Sequence, residues 1–123
     1  MPIAERWKIE ACLALVKQVD VGKLIVPGMK DANSKTGKCV SSLGFTASDI
    51  LAVMKSLTVA DYSDGPLADD KGRPHDLWVF GKRVQCGLVY IKFAVFYENG
   101  AVIGICVSFH APEYEMRFPY KEA

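Results

Sequence analysis

The chain has 123 residues, half of them apolar and 24% charged, an ordinary globular composition that excludes a disordered or fibrous protein. The net charge of +1 is too small to argue nucleic-acid binding from charge alone. No apolar run approaches the ~20 residues of a membrane span, and the length suits one domain over residues 1–123 with a core of its own.

Residues 3–19 read as an amphipathic helix, with Trp7, Cys12, Leu15, Val16 and Val19 at three- and four-residue steps. "GKLIVPGMKDANSKTGKC" follows as a loop with a Pro27-Gly28 turn. A second helix begins near Thr46, where Thr46 can cap, Asp49 suits the N-terminal dipole, and Ile50, Leu51, Met54 and Leu57 form the buried stripe. "DYSDGPLADDKGRPHD" is a second polar loop. From Leu77 the chain turns β, through "LWVF", then "LVYIKFAVFYENGAVIGICVSFH", and a last strand in "YEMRF". The expected fold class is α+β: two layers, with N-terminal helices packed on one face of an antiparallel sheet.

Charge is segregated along this order. Residues 21–60 carry five lysines against two aspartates, and residues 61–76 carry five aspartates against one lysine and one arginine. Such segregation allows a local basic surface on a neutral protein, and it suits solvated loops equally well. Cys12, Cys39, Cys86 and Cys106 form no C-x-x-C pair, and His75 and His110 lie in no ligand spacing with them. Reduced, mostly buried thiols are expected, with no metal and no cofactor. The charged opening "MPIAERWKIEAC" does not read as a secretion signal, so the expected compartment is the cytoplasm.

Lys92 is the sole charge in the long apolar run until Glu98, and its direction depends on the hairpin at Asn99-Gly100. A two-residue turn pairs Glu98 with Ala101 and Lys92 with Val107, which mixes both faces. A three-residue loop, Glu98-Asn99-Gly100, pairs Tyr97 with Ala101 instead. It gathers Val89, Ile91, Phe93, Val95, Ile103, Ile105, Val107 and Phe109 on one apolar face. Tyr90, Lys92, Ala94, Phe96, Val102, Gly104, Cys106, Ser108 and His110 take the other. The clean separation favours this second register.

If Cys86-Gly87 is a two-residue turn, Arg83 opposes Tyr90 and Gly81 opposes Lys92. Arg83, Tyr90, Lys92, Ser108 and His110 then share one open surface, where Gly81, Gly104 and Ser108 leave room for a ligand backbone. Fixed cations suit a phosphodiester, an imidazole transfers protons near neutral pH, and a phenol can donate or stack on a base. That is the chemistry of metal-free RNA cleavage by the 2′-hydroxyl. An ordinary solvated sheet face has the same residue types.

"SLTVADY" after a helix, then "VYIKF", then "VSFH" near the C-terminus resembles the MqsR family of toxins from bacterial toxin–antitoxin systems. The resemblance spans roughly residues 10 to 110 and rests on the order and spacing of short motifs. It implies a RelE-like fold, metal-free cleavage of mRNA, ribosome-bound or free, and a cognate antitoxin protein as partner. It also implies catalytic roles for Tyr90, Lys92 and His110, the last standing where the family has a lysine. Asp64 stands where the family has another lysine, and Val79 where it has a glutamine. Arg83, Lys82 and Arg73, with Ser108, are the groups available for binding RNA, and His75 could add charge. Two other functions fit the residues. One is a non-catalytic RNA- or protein-binding module on the same scaffold, and the other a small-molecule enzyme or sensor with an enclosed pocket. Trp7 and Trp78 read as packing residues, and the aspartates of residues 61–76 as a solvated loop.

Overall fold

Thr46 and Asp49 form a reciprocal capping box: the Thr46 hydroxyl accepts the Asp49 N–H, and the Asp49 carboxylate accepts the Thr46 N–H at 2.8 Å. In the computed structural model, which describes residues 3–85 and 87–121, this box starts helix α3, Ala47–Lys55. Ile50, Leu51 and Met54 are its buried positions, as expected, with Leu57 buried just beyond it. The first helix, α1, is Arg6–Val16, shorter than residues 3–19. Its core stripe is Ile9, Cys12, Leu13 and Val16, while Trp7 stays 60% exposed with the Lys8 ammonium over its ring. Trp7 therefore belongs to the solvent side and not to the stripe.

The stretch read as one long loop contains more structure. A two-residue strand β1, Leu24–Ile25, runs parallel to the last strand. Helix α2, Lys35–Leu43, follows, capped by the Ser34 hydroxyl accepting the Gly37 N–H at 2.8 Å, and closed by left-handed Gly44. Gly37 disguises this helix, because glycine disfavours helix interiors. It is required there: a Cβ at Gly37 would collide with the Asp31 carbonyl and sit 2.9 Å from that of Gly28.

The remaining strands are β2, Tyr62–Leu67, inside the expected polar loop; β3, Leu77–Val84; β4, Gly87–Glu98; and β5, Ala101–His110. The sheet order is β1-β5-β4-β3-β2, antiparallel throughout except for the β1–β5 edge pair. The fold is α+β, three helices and a five-stranded mixed sheet, with the helices N-terminal to the main strands. The core lies between helices and sheet, where Phe80, Ile91, Phe93 and Phe109 are fully buried with Ile9, Val16, Ile50 and Met54. Among the described residues no helix is long and apolar enough to cross a membrane.

The expected strand in "YEMRF" is absent. Residues 111–121 run instead as an irregular strap across the outer sheet face, opposite the helices. Met116 is buried, the Phe118 ring lies over Gly81, and the Tyr120 hydroxyl donates to the Ala4 carbonyl at 2.7 Å. The Met116 and Phe118 side chains pack on the face of β3 at Gly81, and the segment joins no sheet edge.

Candidate functional site

The β4–β5 hairpin turns on two residues, with Glu98 opposite Ala101 and both Asn99 and Gly100 at positive φ. This overturns the three-residue loop: Asn-Gly satisfies a tight turn whose twist matches the strands. The pairing then slips. Phe93 opposes Cys106 but Lys92 opposes Ser108, so Val107 is an extra residue in β5, a β-bulge. Beyond the bulge Tyr90 opposes His110 and Ile91 opposes Phe109. Lys92, Tyr90, Ser108 and His110 therefore share the outer face as expected, opposite Ile91 and Phe93. Ile105, paired with Ala94, moves to their face, and Val107 lines their cleft. Cys106 moves the other way and is buried opposite Phe93, with burial pushing its thiol up to about 12.

The cleft encloses about 550 Å³. Tyr90, Lys92, Ser108 and His110 form one wall; Asn33, Lys35 and Thr36 at the start of α2 form another; Glu113 and Tyr114 of the strap close the third. Thr36, itself buried, accepts the Phe109 N–H at 3.1 Å and so locks α2 to the strand carrying Ser108 and His110. The His110 and Tyr90 rings stack at 5.5 Å, and Tyr114 meets Tyr90 edge-on at 6.3 Å. His110 Nδ1 lies 2.8 Å from the Ala111 carbonyl, an acceptor only. Nδ1 therefore carries the proton in the neutral ring, which leaves Nε2 with the lone pair.

Burial holds the Tyr90 phenol well above its ordinary value of 10.0, reinforced by a hydrogen bond to Tyr114 and by the charges of Asp64 and Glu113. The phenol keeps its proton. Glu113 is exposed and ion-paired to Lys35, whose ammonium holds the carboxyl below its ordinary range, with His110 adding to the effect. Lys92 makes no ion pair among the described residues, so its charge is available to a ligand.

Three expected binding groups lie elsewhere. Arg83 opposes Leu88, because Val84 pairs with Gly87 and shifts the strand by two residues from the expected pairing. Arg83 borders a separate groove with Phe118 and Lys121, and the strap over Gly81 stands between it and Tyr90. The expected Cys86-Gly87 turn falls partly on residue 86, outside the described residues. Lys82 points to the other side, 3.5 Å from the Asp61 carboxylate and 3.4 Å from the Ser56 carbonyl. Arg73 is paired with Asp69 at 2.9 Å. His75 stacks flat on Phe96 at 3.6 Å, and Trp78 packs edge-on to Tyr62. The room expected at two glycines is filled by the chain itself: Phe118 covers Gly81, and Gly104 faces Leu24 and Val19 on the core side. Lys35 and Glu113 were not singled out by sequence reasoning. Ser34 as a helix cap was the signal for Lys35, and no local pattern marks Glu113.

Asp64, Val79, Lys92 and Ser108 form one row across β2 to β5, each opposite the next. Comparison with known proteins returns no match to a family model, to a curated sequence or to a solved structure.

Proposed function

We propose that this chain is an endoribonuclease that cuts mRNA without a metal, acting as the toxin of a toxin–antitoxin pair. The observation that carries the reading is the convergence of Tyr90, Lys92, Ser108 and His110 with Lys35 in a single open cleft. The toxin role and the antitoxin partner rest on the motif resemblance alone. An RNA phosphate lies between Lys92 and Lys35, which neutralise it and the pentavalent anion formed during attack. His110 Nε2 takes the proton of the 2′-hydroxyl as that oxygen bonds to phosphorus. The bond to the 5′-oxygen breaks, and Tyr90, held protonated, donates to the leaving oxygen. The products are a 2′,3′-cyclic phosphate and a 5′-hydroxyl end. The free lone pair on His110 Nε2 makes it the base, and the proton that burial keeps on Tyr90 makes it the acid.

The test is cleavage of a short RNA with chelator present, with the ends of the products identified. His110→Gln should lower the rate by ~10²–10⁴, the usual range for a general acid–base residue. Unchanged activity in that variant removes His110 from the mechanism, and a requirement for divalent metal rejects the mechanism. Induction of the chain alone should arrest bacterial growth. The Lys35–Glu113 ion pair, which offsets one of the two cations, favours a second reading as a non-catalytic RNA-binding module. RNA binding without cleavage would establish that reading.

A further inference from the structure

We propose that residues 112–115 of the strap are an autoinhibitory latch: the Glu113 carboxylate holds Lys35 in place of an RNA phosphate, and RNA enters by displacing it. This rests on the reading of the cleft as an RNA phosphate site given above. The strap is held unevenly. Its far half is anchored: Met116 is buried, the Phe118 ring covers Gly81, and Tyr120 packs on Tyr62 at 6.1 Å while its hydroxyl donates to the Ala4 carbonyl. Its near half leaves Glu113, Tyr114 and Glu115 exposed. Among the described residues, no backbone–backbone hydrogen bond ties residues 111–117 to another segment. Two side chains close this half over the cleft, Glu113 on Lys35 and Tyr114 against Tyr90.

Both contacts fall on groups that the reaction uses. Lys35 is one of the two cations that face the phosphate, and Glu113 neutralises it. Tyr90 is the acid for the leaving oxygen, and its phenol is engaged by Tyr114. A carboxylate and a phosphate present the same anionic oxygens to an ammonium, so the two compete for Lys35. The pull of Lys35 keeps the Glu113 carboxyl ionised across the neutral range. The Lys35 and Glu113 side chains are 63% and 57% exposed, and an ion pair so open to water is weak enough for a phosphate to exchange it. Lifting the latch turns the chain only between His110 and Met116, and leaves Phe118 and Tyr120 seated.

Glu113→Gln keeps the length of the side chain and removes its charge. Binding of a 2′-O-methyl RNA, which lacks the attacking hydroxyl and stays uncut, is measured at several salt concentrations, with thermal unfolding as a check on the fold. Glu113→Gln should bind roughly two- to fivefold more tightly than the wild type at low salt. Its salt dependence should be steeper by about one counterion, because the phosphate then meets a Lys35 that no carboxylate has neutralised. Adding Lys35→Gln to that variant should return the slope to the wild-type value. Glu115 sits on the same strap without an ion pair among the described residues, so Glu115→Gln should leave the slope unchanged. Equal or weaker binding by Glu113→Gln overturns the latch. The same gain in affinity and slope from Glu115→Gln also overturns it, since general charge repulsion then suffices. Either result leaves the phosphate site standing if Lys92→Ala still lowers the slope. No RNA binding by any of these proteins overturns both readings.

Discussion

Thr36→Val isolates the hydrogen bond that links helix α2 to strand β5. Thr36 is 4% exposed, and its hydroxyl accepts the Phe109 N–H at 3.1 Å. Strand β1 covers β5 only at Gly104 and Ile105, so on that side no strand reaches Phe109. Valine keeps the shape and the helix propensity but strands a buried N–H, which costs about 1–3 kcal/mol. Thr36→Ser keeps the acceptor and loses one methyl, worth about 0.8 kcal/mol. With a urea dependence of about 2 kcal/mol per molar, the valine variant's midpoint should fall by about 1 M and the serine variant's by about 0.4 M. Parallel slopes in the two transitions would confine the effect to stability. The Val variant should also cut RNA more slowly, since Phe109 lies between Ser108 and His110. Equal midpoints for the two variants, or a valine variant above the serine one, would refute the role given to this hydrogen bond.

Stability should also fall in alkali through the buried thiols. Burial pushes Cys12 and Cys106 up to about 12 from an ordinary 9.0, so below pH 9 both folded and unfolded chains hold these protons. As pH rises from 9 toward 12 the unfolded chain releases them first, and stability drops by on the order of 1–2 kcal/mol per thiol by pH ~10.5. Urea midpoints compared at pH ~8 and ~10.5 should shift less in Cys106→Ala, and identical shifts would contradict the assignment. Lys92→Ala should weaken RNA binding and reduce its salt dependence by about one counterion, read from affinities at several salt concentrations. An unchanged slope would take Lys92 off the phosphate. Gly81→Ala places a Cβ 2.7 Å from Phe118 and 3.0 Å from Met116, so it should lift the strap, costing about 1–3 kcal/mol. Faster proteolysis at Arg117 and Lys121 would report the lifting, and wild-type resistance would deny it.

The elements that were legible in sequence are those in which local chemistry and tertiary packing agree. Thr46 and Asp49 announce α3 because the capping box is entirely local. Asn99-Gly100 announces the turn for the same reason. Helix α2 was hidden because Gly37 answers a tertiary demand, the approach of the Gly28 and Asp31 carbonyls, and not a helical one. Strand β2 was hidden because two register shifts break the alternation by which a strand is recognised. The strap resembles a strand in pattern, with Met116 and Phe118 two apart, yet these side chains reach Gly81 with no ladder partner.

The site itself was half legible, and the bulge at Val107 explains which half. Turn chemistry demanded two residues at Asn99-Gly100, whereas face separation demanded a shift in phase; with an even strand these demands exclude each other. In an unbroken two-residue register Tyr90 would oppose Phe109 and His110 would oppose Val89, putting the phenylalanine outside and the imidazole in the core. Returning Phe109 to the core is worth ~1.5–3 kcal/mol, against ~0.5–1.5 kcal/mol for a disturbed ladder bond. Inserting Val107 is therefore the favourable solution, since it keeps both the turn and the buried Phe109. The same insertion turns Ser108 and His110 onto the face of Tyr90 and Lys92. Residue types and face could be read from Lys92, Tyr90 and His110 alone. The neighbours of that face could not, because Lys35, Glu113 and Tyr114 arrive from segments whose placement depends on packing over the whole sheet.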